Sequence, residues 1–144
     1  MQTLWWVTFK AAFAYFACVF AIGFVLGPIR ELWVIPRAGR VLALLIEGTL
    51  MVGVSVFFAR AALRHFAVPK RTATRITVGT VAFGLLQAAE MLLAFWLRHQ
   101  NPTQYLAAFG SAPGAIGLLA QLAFGAVPAV VVRDRRQDLA KPTG

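Results

Sequence analysis

The sequence predicts an all-α integral membrane protein, a four-transmembrane-helix antiparallel bundle with a short interfacial helix before the fourth span. Three observations carry this prediction: the composition, the spacing of the apolar runs and the position of the basic residues between them. Of the 144 residues, 60% are hydrophobic and 13% are charged, whereas soluble domains have about 45–50% and about 25%. Because this length suits one domain, we assign residues 1–144 to a single membrane domain.

The apolar runs place the spans at about residues 4–28, 41–59, 76–97 and 115–132, followed by a short tail at 133–144. Each run is close to the roughly 20 residues that a helix needs to cross a bilayer. No small-residue cleavage site follows the first run, which is therefore predicted to be a retained span rather than a signal peptide. Cys18 in this run is expected to be a packing residue, because free cysteine is commonly buried.

A helix start is predicted just before the fourth span. Asn101 and Pro102 suit the cap and the first helical position, so a short interfacial helix is expected to run from there to about Phe109. The small residues at 110–114 separate it from the fourth span. Pro128, near the end of that span, is expected to kink it or to loosen its last turns.

The basic residues predict the orientation, because Lys and Arg are retained in the cytoplasm more readily than they are translocated. With four spans, one side of the membrane carries both termini and ten of the fourteen basic residues: Lys10, Arg60, Arg64, Lys70, Arg71, Arg75, Arg133, Arg135, Arg136 and Lys141. The other side carries Arg30, Arg37, Arg40 and Arg98. We therefore expect a multi-pass protein of the cell inner membrane with both termini cytoplasmic. Anionic lipid at that face is the expected partner of the basic residues, and nucleic acid is not.

Two carboxylates, Glu47 and Glu90, lie inside the second and third spans. Counted at 1.5 Å per residue from the span ends, both fall roughly 9–11 Å below the outer surface. We expect them on neighbouring antiparallel helices. A charged side chain in hydrocarbon costs at least about 2–3 kcal/mol and usually faces the bundle interior with a partner. Neither glutamate is therefore expected to face lipid.

Other polar residues fall near the same depth and suggest a pocket that opens to the outer side. The predicted pocket consists of Glu47, Gln87, Glu90, Gln121 and Arg40, with Arg30, Arg37 and Arg98 at its outer entrance. Arg40 is included because it precedes Glu47 by two turns on the same helical face. The structural alternative is that one glutamate pairs with an outer-loop arginine while the other is protonated and hydrogen-bonded to a glutamine.

Catalysis and cofactor binding are not indicated. His65 and His99 fall on opposite sides of the membrane, Cys18 is the single cysteine, and no nucleophile triad, P-loop or zinc-binding helix motif is present. We predict no catalytic residue, no metal and no cofactor. A lipid-modifying enzyme that uses Glu47 and Glu90 as acid and base remains a minor alternative.

In size and helix count the chain is similar to the small multidrug-resistance transporters. Their essential glutamate belongs to the first span, where this chain has Lys10 and no carboxylate. The aspartate dyad of lipoprotein signal peptidases is not found either, so no family is assigned. The leading prediction is a non-catalytic accessory or assembly subunit, partnered by other membrane subunits or by a second copy. The alternative is an oligomeric proton-coupled transporter or channel that uses the pocket around Glu47 and Glu90.

Overall fold

The structure, a computed structural model, describes residues 2–131, and within this range all regular secondary structure is helical. The elements are α1 (Gln2–Ile29), a π-helical turn (Arg30–Val34), α2 (Ile35–Ala38), α3 (Arg40–His65), α4 (Thr72–Arg98), α5 (Pro102–Ala108) and α6 (Ala112–Val130). Four helices are long and apolar enough to cross a membrane, namely α1 with its extension to Ala38, α3, α4 and α6. The chain thus has the features of a multi-pass membrane protein. The predicted tail and the last residue of the predicted fourth span lie outside the described residues.

The helices extend beyond the apolar runs from which the spans were predicted. α3 continues to His65 and α4 already begins at Thr72. Arginine, alanine and leucine are good helix formers, and a helix has no reason to end where the hydrocarbon core does. Hydropathy therefore located the spans but underestimated the helices.

The connection between the first two predicted spans is almost entirely helical. α1 passes through Pro28 into the π-helical turn, and Pro36 lies in the first turn of α2, where its missing N–H costs nothing. Gly39 separates α2 from α3 with a φ of 81°, a conformation that favours glycine. The π-helical turn carries Arg30 and Glu31 over the beginning of α3.

α5 begins at Pro102, as the sequence predicts. Asn101 and Gln104 form a capping box, in which the Gln104 N–H donates to Asn101 Oδ1 at 2.8 Å and the Asn101 N–H donates to Gln104 Oε1 at 3.0 Å. α6 begins slightly earlier than predicted, because Ser111 caps it and Pro113 fits its first turn.

α1 packs against α3 and α4, and α6 packs against the same two helices. α3 and α4 share few contacts within the described residues, so the expectation that these two helices are close neighbours was wrong. α1 and α6 meet between them, where the Tyr15 and Phe124 rings stack with their centroids 4.5 Å apart.

A close helix approach in the core joins α4 to α6. A Cβ atom added at Gly79 would overlap with the carbonyl oxygen of Gly125. Gly84, on the same helix, has open space around its position. On α4, Gly79 thus serves packing within the chain, whereas Gly84 lies on the outside of the helix.

A second feature of this core concerns Pro128, inside α6. Proline has no N–H, so the carbonyl of Phe124, four residues earlier, loses its helical partner. The Tyr15 hydroxyl of α1 donates to that carbonyl at 2.8 Å, and both groups are buried. α6 continues to Val130, and a side chain from another helix supplies the hydrogen bond that the proline removes.

Cys18 lies in α1 with an exposed side chain, so the expectation that it is buried was wrong. The outer surface of a membrane helix is itself apolar, so the small thiol of Cys18 can lie there as well as in the interior.

Candidate functional site

The polar side chains of the interior gather where α1 and α4 end and where α3 and α6 begin. We call this region the polar end and define it by Arg30, Glu47, Gln87, Glu90 and Gln121. All five side chains are partly buried. They form two hydrogen-bonded sets.

The first set is an ion-pair cluster. Arg30 Nη1 donates to Glu47 Oε2, and Arg30 Nη2 lies 3.2 Å from Glu31 Oε1. The Arg30 and Glu47 side chains are only 19% and 16% exposed, so this pair is largely removed from solvent. Arg30 therefore neutralises the carboxylate that α3 carries inside the predicted span.

Arg40 does not contact Glu47, contrary to the prediction. Its Nη2 atom lies 3.9 Å from Glu31 Oε2, and its side chain is 61% exposed. Arg30 lies in the π-helical turn, which packs over the beginning of α3. Arg40 can remain hydrated at the surface. Arg30, which was predicted at the outer entrance, thus occupies the inner position beside Glu47. Arg40, which was predicted inside the pocket, lies at the rim.

The second set is a chain of side-chain hydrogen bonds from α5 to α4. The Tyr105 hydroxyl donates to Gln87 Oε1 at 3.0 Å, and Gln87 Nε2 donates to Gln121 Oε1 at 2.6 Å. Gln121 Nε2 donates in turn to Glu90 Oε2. Both amides therefore use one donor and one acceptor in the same direction along the chain, and the chain ends on a carboxylate.

Tyr105 was not among the predicted pocket residues, because it lies in the predicted interfacial helix and not in a span. Its hydroxyl lies in the network because α5 folds back over α4. Burial, and then the charge of Glu90, raise the pKa of Tyr105. The phenol therefore stays protonated, and able to donate, throughout the physiological pH range.

The predicted pocket residues on α4 and α6 come together, and Glu47 lies in the adjacent cluster. Glu90 makes no ion pair within residues 2–131, although the charges of Arg98, Arg30 and Glu47 act on it. One glutamate is thus paired with an arginine and the other is hydrogen-bonded to a glutamine. These are the contacts that the structural alternative predicts.

A cleft of about 210 Å³ opens at the polar end between the helix termini. Its walls include Arg30, Glu31, Ile35, Arg40, Leu44, Arg98, Ala108, Ser111, Pro113 and Gly114. Arg37 is not one of them; its Nη1 donates to the Trp33 carbonyl at 2.9 Å and its guanidinium lies 5.5 Å from the centre of the Trp33 ring. Two of the three predicted entrance arginines therefore line the cleft.

Among residues 2–131, no group of three or more His, Cys, Asp or Glu side chains is arranged to hold a metal ion. No known family model, curated protein or solved structure matches the chain. The chemistry of the polar end is therefore the basis for a functional interpretation.

Proposed function

We propose that this chain is a non-catalytic accessory or assembly subunit of an inner-membrane complex. In this proposal the four long helices form a bundle in the bilayer, α5 lies at the outer interface and both termini are cytoplasmic. The partner is another membrane-spanning protein, which contacts the bundle through its lipid-facing surface.

The observation that carries the proposal is that the carboxylates and amides of the interior are paired at one end of the molecule, either with one another or with Arg30 and Tyr105. A transport path needs polar groups in series across the membrane. Beyond the polar end, the buried side chains of residues 2–131 that carry polar groups are Thr8, Ser55 and Tyr15. The Thr8 and Ser55 hydroxyls donate to carbonyls of their own helices at 2.7 Å, and the Tyr15 hydroxyl donates to the Phe124 carbonyl at 2.8 Å. The remaining core is built from alanine, valine, leucine and aromatic side chains, which favours a static interior.

A face of α4 supports contact with another helix. Thr80, Gly84 and Ala88 are spaced four residues apart and all three are exposed. An added Cβ atom at Gly84 meets no other atom within 4 Å, so this position does not serve packing within the chain. Small residues on one face let two membrane helices approach closely. They do not improve the contact of a helix with lipid.

The test is native mass spectrometry of a tagged full-length chain, gently extracted from its own membrane. We expect one other polypeptide at fixed stoichiometry, which is lost when Gly84→Leu fills the α4 face. Gly53→Leu is the matched control, because Gly53 is also exposed, with open space around it, but lies on α3. A wild-type chain that is recovered alone, or a partner that is retained equally by both variants, contradicts the proposal.

A second candidate is an oligomeric proton-coupled transporter, favoured by the absence of an ion-pair partner for Glu90 among residues 2–131. A path would then require a second copy to continue beyond the polar end. Proton flux into liposomes distinguishes the two. Proton flux that is lost in Glu90→Gln would favour the transporter, provided that it is retained in Glu31→Gln, the control at an exposed position. Under the accessory-subunit proposal, neither variant differs from protein-free liposomes.

A further inference from the structure

We infer that the cleft at the polar end binds a phosphate ester group that carries a single negative charge. This inference concerns a ligand of the isolated chain and does not depend on the subunit proposal. It stands on the charge of the cleft, on guanidinium donors without a partner, and on the position of the cleft at the helix ends.

The residues that line the cleft carry an excess of positive charge. Arg30, Arg40 and Arg98 line it, against Glu31 in its wall and Glu47 behind Arg30. Arg98 makes no ion pair within the described residues, and Glu90, on which its charge acts, does not line the cleft. A phosphodiester, which carries one negative charge, would pair with Arg98.

Donors in the cleft are also left over. Both terminal nitrogens of Arg30 are bound to carboxylates, and its buried Nε atom is out of reach of a ligand in the cleft. The Arg40 guanidinium also lines the cleft, and its side chain is 61% exposed. Phosphate oxygens are strong acceptors for guanidinium groups and often bind two N–H groups at once. The Arg98 guanidinium at the end of α4 also lines the cleft and supplies further donors.

The beginning of α6 forms another wall. Its first turn has few free N–H groups, because Pro113 has none and the Gly114 N–H donates to Ser111 Oγ at 3.1 Å. α6 therefore contributes the positive end of its dipole rather than hydrogen bonds. The arginines are the donors, and recognition depends on them.

Size and position favour the head group of a lipid over a larger ligand. The cleft volume of about 210 Å³ is below the roughly 300–1,000 Å³ of drug-sized pockets. Ile35, Leu44 and Ala108 give it apolar walls, which suit a glycerol stem. All four membrane-length helices begin or end here, at the level where lipid phosphates lie. A free phosphate ester has the same chemistry and is the other source.

The experiment measures binding to the purified full-length chain in neutral detergent by native mass spectrometry. The probes are phosphatidylglycerol, diacylglycerol as the lipid without phosphate, and glycerol phosphate as the free ester. We expect phosphatidylglycerol to bind and diacylglycerol not to bind. Arg98→Gln should weaken binding by about tenfold, the effect of losing one hydrogen bond to a charged group. Arg64→Gln, the matched control, removes an exposed positive charge near the other end of α3 and should change nothing.

Two further outcomes decide the inference. Binding of glycerol phosphate as tightly as the lipid, with the same loss in Arg98→Gln, supports the phosphate site and identifies a free ester as its source. Equal weakening by Arg98→Gln and Arg64→Gln, or equal binding of diacylglycerol, overturns the inference, because attraction would then be unspecific. Thermal unfolding of both variants without ligand, together with recovery of binding by Arg98→Lys, separates loss of the site from loss of the fold.

Discussion

The two ends of the core are stabilised by different means. At the polar end, side chains from α3, α4, α5, α6 and the π-helical turn are joined by an ion pair and by amide hydrogen bonds. In the apolar half, which we define by Tyr15, Gly79, Phe124 and Pro128, helices approach through small residues and share one buried hydrogen bond. Lipid provides no hydrophobic force between helices, so close packing and hydrogen bonding are the interactions that remain. The apolar half depends on shape, whereas the polar end has chemistry that a ligand can also use.

The largest effect is expected where shape decides the packing. In Gly79→Ala the new methyl group overlaps with the Gly125 backbone carbonyl, which cannot move without shifting α6. Overpacking of this kind costs about 1–3 kcal/mol, and we expect a value at the upper end. The free energy of unfolding can be measured by denaturant titration in detergent micelles.

Gly84→Ala is the control for Gly79→Ala, because it is the same substitution on the same helix at an open position. It should leave stability unchanged or raise it slightly, since alanine favours helix over glycine. Equal losses in the two variants would mean that α4 and α6 do not meet at Gly79.

An intermediate effect is expected from the Arg30 and Glu47 pair. Arg30→Gln leaves a carboxylate in a mostly buried position, and we expect a loss of about 2 kcal/mol, as for other hydrogen bonds to charged groups. Adding Glu47→Gln should restore part of this loss, because the unpaired charge is then gone. The double-mutant cycle measures the coupling between the two residues. Arg37→Gln, an arginine held mainly by Trp33, is the exposed control. Purely additive losses would exclude a direct pair.

The smallest effect concerns the hydrogen bond that replaces the proline N–H. Tyr15→Phe keeps the ring against Phe124 but leaves the Phe124 carbonyl unsatisfied, at a cost of about 1 kcal/mol. In a Pro128→Ala background the helix can satisfy that carbonyl itself, so the same substitution should cost clearly less. Thermal unfolding of the four proteins measures the difference. An equal cost in both backgrounds would mean that Tyr15 does not substitute for the missing helical bond.

The parts of the fold that follow local rules were predictable. The four apolar runs lie in the four long helices, and the cap at Asn101 marked the beginning of α5. The glutamates and glutamines were recognised because polar side chains are costly in hydrocarbon and need partners. Which partner each would have was not predictable. Arg30 and Arg40 are both close to Glu47 in sequence, and only the path of the first connection determines which one reaches it.

The sequence by itself determined the number of membrane-length helices, the kinds of residue in the interior and the excess of positive charge, because these depend on composition and on short-range spacing. The tertiary structure alone decided that Arg30 reaches Glu47, that Tyr105 completes the amide chain and that Tyr15 binds the carbonyl freed by Pro128. Each of these contacts joins side chains from different elements. Their geometry depends on how the helices pack against one another, and no local pattern in the chain encodes that packing.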